Sequence, residues 1–293
     1  MASDPDPFEL HTTLSHLFLL SSIPTYLLTR CIIVAPFGRH VPKQNHWWFG
    51  PKFDARWSWF LFEFPNLIWA WYYYSSMPYP KSYTISTNVM LMSLFTLHYI
   101  NRDIIYPLRM NPNSQKVPLV VTIAAGIITT WNGYLQCFYL AQIRQDSPLS
   151  LSLSLENIQT WVGIGFFFLG MGINIHSDAV LRNLRLNNSS TAKPISQQQN
   201  QQNGTRLQQH DQHAYYIPHS PWFTYISCPN FFGELVEWFG FSMASHFSLP
   251  SVAFLIYTAS NLIPRGIAHH YWYQQKFEDY PRERKWAVIP FIV

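Results

Sequence analysis

Seven stretches of this chain read as membrane helices, near residues 12–35, 57–77, 83–107, 117–142, 156–178, 231–247 and 249–268. A helix needs about 20 mainly apolar residues to cross the hydrocarbon core of a bilayer. This pattern predicts an all-α fold, a polytopic bundle of seven transmembrane helices, with residues 1–293 as a single membrane domain. The last two runs are the closest together, with only "SHFSLP" between them. The third, fourth and fifth carry polar residues inside, which lowers their hydropathy. Composition agrees with lipid. Only 12% of residues are charged, against about 25% in a soluble domain. Aromatic residues make up 17%, and such rings gather at headgroup depth. The mean hydropathy of −0.03 is low because polar segments dilute the spans.

The placement of Lys and Arg fixes an orientation. The first connection holds Arg39, Lys43, Lys52 and Arg56, and the third holds Arg102, Arg109 and Lys116. The fifth holds Arg182, Arg185, Lys193 and Arg206, and the tail holds Arg265, Lys276, Arg282, Arg284 and Lys285. The opposite side keeps only Lys81 and Arg144, with Arg30 inside the first run. Cytoplasmic loops collect such residues, so the N-terminus is expected to be lumenal and the C-terminus cytosolic. An odd number of spans is what this asymmetry requires.

The start, "MASDPDPFELH", is acidic rather than the basic opening of a signal peptide, so the first run reads as a retained helix. Cys31, Cys137 and Cys228 are widely spaced, which suits isolated thiols better than a disulfide framework or a zinc site. Residues 187–213, rich in Gln and Asn, read as a disordered cytosolic loop. Their sequons at Asn187, Asn188 and Asn203 are then expected to stay unglycosylated. No G-x-G-x-x-G follows a strand, which argues against a soluble Rossmann domain.

Polar groups inside the spans carry the functional argument, because an ionisable residue at bilayer depth usually faces the bundle interior and has work to do. In "WFLFEFPNL", Glu63 stands among Phe60, Leu61, Phe62 and Phe64. Desolvation disfavours a charged carboxylate there, so Glu63 is a candidate acid or hydrogen-bond donor. In "LHYINRDIIYPLR", Tyr99, Arg102 and Tyr106 share one helix face, with His98 and Asp103 on others. A packing stripe with a snorkelling Arg would look the same. In "WNGYLQ", Asn132 and Gln136 read as polar glue between helices.

The stretch "GIGFFFLGMGINIHSDAVLRNLR", residues 163–185, opens apolar and then presents Asn174, His176, Ser177 and Asp178, followed by Arg182 and Arg185. Carboxylate and amide groups suit ribose hydroxyls, and Arg suits phosphate. Asn230 and Glu234 stand four apart, with Glu237 one turn on, and Arg265, His269 and Tyr273 fall at every fourth position. No His, Glu and Asp set has metal-ligand spacing such as H-E-x-x-H, and no metal is expected.

Together, "NGYLQCFYL", "GMGINIHSDAVLRNLR", "FTYISCPNFFGELVEWFGF" and "KFEDYPRERKWAVIPFIV" resemble the steroid 5α-reductases, the 3-oxo-5α-steroid 4-dehydrogenases. The likeness runs from about residue 37 to the C-terminus, interrupted by the Gln-rich insertion. "SCPN" with "YTASNLIPR" leans toward plant-type members acting on brassinosteroid precursors. The resemblance implies a seven-helix oxidoreductase of the endoplasmic reticulum membrane that uses NADPH in steroid metabolism. The hydride would go to C5 of a 3-oxo-Δ4-steroid. Glu63 and Tyr99 match the pair at the C3 carbonyl. Asn174, Asp178, Arg185, Asn230, Glu234, Arg265, His269 and Tyr273 match cofactor positions. Trp59 and Arg102 match the nicotinamide end, and Tyr215, where "AYYIP" rejoins the pattern, would sit near the adenine.

The resemblance also has departures. Phe62 stands where animal members have Gln, which removes one donor to the carbonyl, and Phe37 replaces a Tyr near the cofactor. The expected partners are a steroid and membrane lipid, with no nucleic acid, for a chain acting as a monomer. Two other classes fit the polar clusters less fully: a membrane S-adenosylmethionine-dependent methyltransferase, which shares a "PN…GE" helix pair, and a non-catalytic sterol carrier.

Overall fold

A computed structural model describes residues 6–34, 40, 47–77, 86–112, 114–145, 147, 149, 154–188 and 215–293, with backbone alone at 48 and 185–188. Phe37 and residues 189–213 of the Gln-rich segment therefore lie outside the described residues, as does the side chain of Arg185. Helix dominates. α1 (Pro7–Leu27) continues as a π-helical turn, Leu28–Ile32, and α2 spans Ala55–Ser76. α3 (Thr87–Tyr99) passes through a π segment, Ile100–Ile105, into α4 (Tyr106–Arg109). α5 (Leu119–Phe138) ends in a third π segment, Tyr139–Ile143. α6 (Leu155–Asn188), α7 (Pro229–Ala244) and α8 (Leu249–Lys276) complete the bundle. β1 (Lys52–Phe53) and β2 (Val117–Pro118) pair antiparallel, with Lys52 opposite Pro118, and bring the starts of α2 and α5 to one level.

Local chemistry explains several ends. The Asp6 carboxylate caps α1 by accepting from Phe8 N at 3.1 Å, so α1 begins five residues before the apolar run. Asp54 caps α2 through Arg56 N at 2.9 Å. Such caps satisfy N–H groups that have no partner within the helix. α6 runs ten residues beyond Asp178, so the Asn174–Asp178 cluster lies within a continuous helix rather than at its end. α8 likewise runs on past 268, and Arg265, His269 and Tyr273 share one helix.

α6 and α7 pack against each other, as do α2 and α5, and α1 and α8. The first seam is set by glycines seven residues apart on both helices. A Cβ on Gly163 would lie 2.4 Å from Ala244 N, one on Gly170 2.2 Å from Glu237 N, and one on Gly240 2.3 Å from Phe167 N. The neighbours are backbone atoms and cannot give way, so only glycine allows this approach. At the α2–α5 seam, a Cβ on Gly133 would meet Trp69 Cδ1 at 2.8 Å and Asn66 Oδ1 at 3.0 Å. The core between these seams contains Tyr73, Leu91, Met92, Phe95, Phe167, Trp238 and Phe241.

Among the described residues, one helix, over Leu155–Leu184, is long and apolar enough by composition to cross a membrane. The other helices expected to span carry Trp, Tyr, Asn, Gln or His that lower their hydropathy. Their outward faces are nevertheless apolar. Leu20, Ile23, Leu61, Trp71 and Ile127 each keep more than half of their surface exposed.

Candidate active site

A cleft of about 200 Å³ opens at one end of the bundle, between α2, the segment after α3, α6, the loop before α7, and α8. Its lining includes Trp59, Arg102, Asp178, Tyr215, Asn230, Arg265, His269 and Tyr273, drawn from widely separated parts of the sequence. Asn174 and Glu234 do not line it but are bonded to residues that do.

Arg102 organises the floor. Its Nη1 lies 3.3 Å from Asp178 Oδ2 and its Nη2 3.3 Å from Glu234 Oε2, in surroundings where all three side chains are nearly buried. The guanidinium carbon stands 5.0 Å from the ring centres of both Trp59 and Tyr106. The π segment between Tyr99 and Tyr106 widens the turn that carries Arg102; such bulges recur at functional sites. Asn230 Nδ2 donates to Asp178 Oδ1 at 2.9 Å. Asn174 Nδ2 donates to the Asn230 carbonyl at 2.9 Å and to Glu234 Oε2 at 3.3 Å. One arginine, two carboxylates and two amides thus tie α3's extension to α6 and α7. Arg109, Arg182 and Arg265 also line the cleft, so its wall is net basic despite Asp178.

Glu63 and Tyr99 lie deeper and do not line this cleft. Glu63 is half-buried and within electrostatic range of Arg102, His98, Glu234 and Tyr99. Tyr99 is buried, and its phenol oxygen accepts from Asn132 Nδ2 at 3.0 Å. Tyr99 and Arg102 therefore serve different places: the phenol meets the α5 amides, while the guanidinium faces the cleft. Phe62 is buried, its ring centre 5.1 Å from that of Trp59.

Sequence reasoning missed three clusters of contacts. His98 Nδ1 lies 2.8 Å from Glu237 Oε1, with both residues buried, so Glu237 pairs with α3 rather than extending the Asn230–Glu234 face. His40 Nε2 meets His269 Nδ1 at 2.8 Å with the rings stacked. Ser227 Oγ lies 2.5 Å from His270 Nδ1 and 2.6 Å from Tyr280 OH, and Gln274 Nε2 lies 2.9 Å from His270 Nε2. With that amide nitrogen facing Nε2, His270 donates through Nδ1 and cannot take a proton from Ser227. Burial and the nearby Arg284 also hold the His270 imidazole below its ordinary range. Apart from His270 with Gln274, one turn apart on α8, these pairs join residues from 43 to 229 positions apart, a separation over which helix periodicity carries no signal.

The fold and site are those of a helical bundle with a basic, polar-lined cleft, and sequence comparison gives the family. The profile of the 3-oxo-5-alpha-steroid 4-dehydrogenase family matches residues 115–293. The chain is 35% identical over 261 residues to 3-oxo-5-alpha-steroid 4-dehydrogenase 1 of Rattus norvegicus, covering 88% of this chain and 86% of that protein. It is 33% identical over 299 residues to steroid 5-alpha-reductase DET2 of Gossypium hirsutum, covering all of both. The Arabidopsis thaliana DET2 is 32% identical over 278 residues, covering 92% of this chain and 91% of that one. The chain belongs to the 3-oxo-5-alpha-steroid 4-dehydrogenase family and is an enzyme of that type.

Proposed function

We propose that the protein reduces the Δ4 double bond of 3-oxo-Δ4-steroids with NADPH, giving 5α-reduced 3-oxo-steroids. The observation that carries this reading is the Arg102 cluster with Asp178 and Glu234, which lines a basic cleft and stands within electrostatic range of half-buried Glu63 and buried Tyr99. The cleft's donor set suits a phosphorylated dinucleotide. Arg182 and Arg265 suit phosphate, Asp178 and Asn230 suit ribose hydroxyls, and Trp59, Tyr215 and Tyr273 offer aromatic walls. Asn174 and Glu234 hold those groups in place, and His269 adds an imidazole to the wall; Arg185 is proposed as a cofactor residue on the family resemblance alone. The bound nicotinamide supplies the hydride.

The remaining chemistry belongs to the protein. As C5 receives hydride, negative charge develops on the C3 oxygen. Tyr99 and a protonated Glu63 donate hydrogen bonds to that oxygen and stabilise the enolate. A proton then reaches C4, and the product has gained two hydrogens. Phe62 leaves the carbonyl with one donor fewer than a Gln would give, and it presents a ring to the steroid instead.

The seven helical segments are read as seven membrane spans. The exposed apolar side chains on their outer faces support this, because soluble monomers rarely leave such surface open. In the endoplasmic reticulum membrane, with a lumenal N-terminus, the basic cleft would open to cytosolic NADPH. Full-length similarity to the Gossypium hirsutum DET2 favours a plant-type substrate of the brassinosteroid-precursor class. The test is to incubate membranes containing the protein with NADPH and a panel of Δ4-3-ketosteroids. Mass spectrometry should find a product heavier by two hydrogens, formed in step with NADPH oxidation. No steroid-dependent oxidation across the panel would refute the assignment.

A further inference from the structure

Two backbone carbonyls far apart in the sequence decide which way the Tyr99 hydroxyl points. A carbonyl only accepts hydrogen bonds, while an amide side chain has one accepting and one donating end. Gln136 Nε2 lies 2.8 Å from the Pro250 carbonyl, so Gln136 presents its NH₂ there. The same nitrogen lies 3.2 Å from Asn132 Oδ1, which therefore accepts. Asn132 must then turn its NH₂ the other way, toward Tyr99 OH at 3.0 Å. A second anchor agrees. Asn66 Nδ2 donates to the Glu63 carbonyl at 3.2 Å, which leaves Asn66 Oδ1 to accept from Asn132 Nδ2 at 3.4 Å. Both chains end on the same demand: Asn132 gives a hydrogen to the phenol oxygen. With that oxygen accepting, its own hydrogen is free to be donated elsewhere.

We infer that Asn132 and Gln136 are positioning residues that orient the Tyr99 hydroxyl as a hydrogen-bond donor to the ketone oxygen of the steroid. This rests on the role proposed for Tyr99 above. Asn66, Asn132 and Gln136 are nearly or fully buried, so water does not compete for these bonds. Gly133 allows α5 to approach Asn66 closely enough for the relay to form. The α7–α8 turn, held by the hydroxyls of Ser242, Ser245, Ser248 and Ser251, fixes the far anchor at Pro250. The relay is neutral throughout, and it sets a proton's direction without placing a charge at that depth.

The test compares binding of a 3-oxo-Δ4-steroid with its 3-deoxy analogue, to the wild type and to variants at equilibrium. Gln136→Met keeps the volume and does not touch Tyr99. Asn132→Leu removes the donor itself. NADPH binding by fluorescence checks that each variant is folded. Asn132→Leu should weaken the 3-oxo steroid about tenfold, the size of one hydrogen bond, and leave the 3-deoxy analogue unchanged. Gln136→Met should give the same pattern at smaller size. Neither should cause further loss in a Tyr99→Phe background. Equal losses for both steroids, or losses that add to that of Tyr99→Phe, would overturn the relay. A wild type that prefers the 3-oxo steroid but oxidises no NADPH would instead defeat the reductase reading and leave the relay standing.

Discussion

The floor of the cleft and the layer beneath it solve the same problem differently. At the floor, Arg102 joins Asp178 and Glu234 in a set of full charges with amides around them. Beneath it, Asn66, Asn132, Gln136 and Tyr99 form a network of neutral dipoles. Charge tolerates burial only when paired and hydrogen-bonded, and a cleft open to solvent eases that requirement. Deeper in the bundle, dipoles give direction without the desolvation cost of an ion. One layer fixes the side chains at the base of a basic-walled cleft, and the other is suited to aiming a single proton.

The hardest blow to this division should come from Arg102→Met. It leaves two carboxylates uncompensated, which typically costs about 3–5 kcal/mol. Thermal unfolding in detergent should shift sharply downward, and NADPH affinity should collapse. Near-normal stability would mean that the floor is not one charge-coupled unit. Next comes Glu63→Gln, which keeps shape but weakens the donor at the ketone. Loss of one such donor lowers turnover by about 10²–10³-fold, whereas NADPH binding should hold. A matching fall in cofactor affinity would merge the two layers into one.

The smallest effect belongs to Asp54, which lies outside both layers and serves as a control. Asp54→Ala removes the α2 cap and should cost about 1 kcal/mol in unfolding experiments, leaving steroid and NADPH binding alone. The Arg56 side chain beside Asp54 holds its carboxyl below the usual range. A depressed carboxyl stabilises the fold above its unfolded pKa, and that contribution fades as pH falls through the folded value. The gap between wild type and variant should therefore close in acid. A gap that persists there would assign the cap's effect to something other than its charge.

Much of the helical plan was legible in the sequence, and some of the site was too. Apolar runs of helical length located the helical segments, and four-residue spacing placed Asn174 with Asp178 and Arg265 with His269. The resemblance carried by the C-terminal motifs reached the family. Other features were not legible. The π segment at Ile100–Ile105 has no periodic signature, so Tyr99 and Arg102 read as one face although they serve different layers. Asn132 and Gln136 read as glue because nothing in "WNGYLQ" names Pro250 as an acceptor.

The sequence alone determined which segments would be helical and which residue types would gather at one end, because both follow from local periodicity and from the cost of placing charge in an apolar setting. Only the tertiary structure decided partners: His98 with Glu237, Arg102 with two carboxylates, Asn132 with Tyr99. The reason is range. A helix repeats over 3.6 residues, but a hydrogen bond is a matter of about 3 Å between groups that the chain separates by 33 to 139 positions.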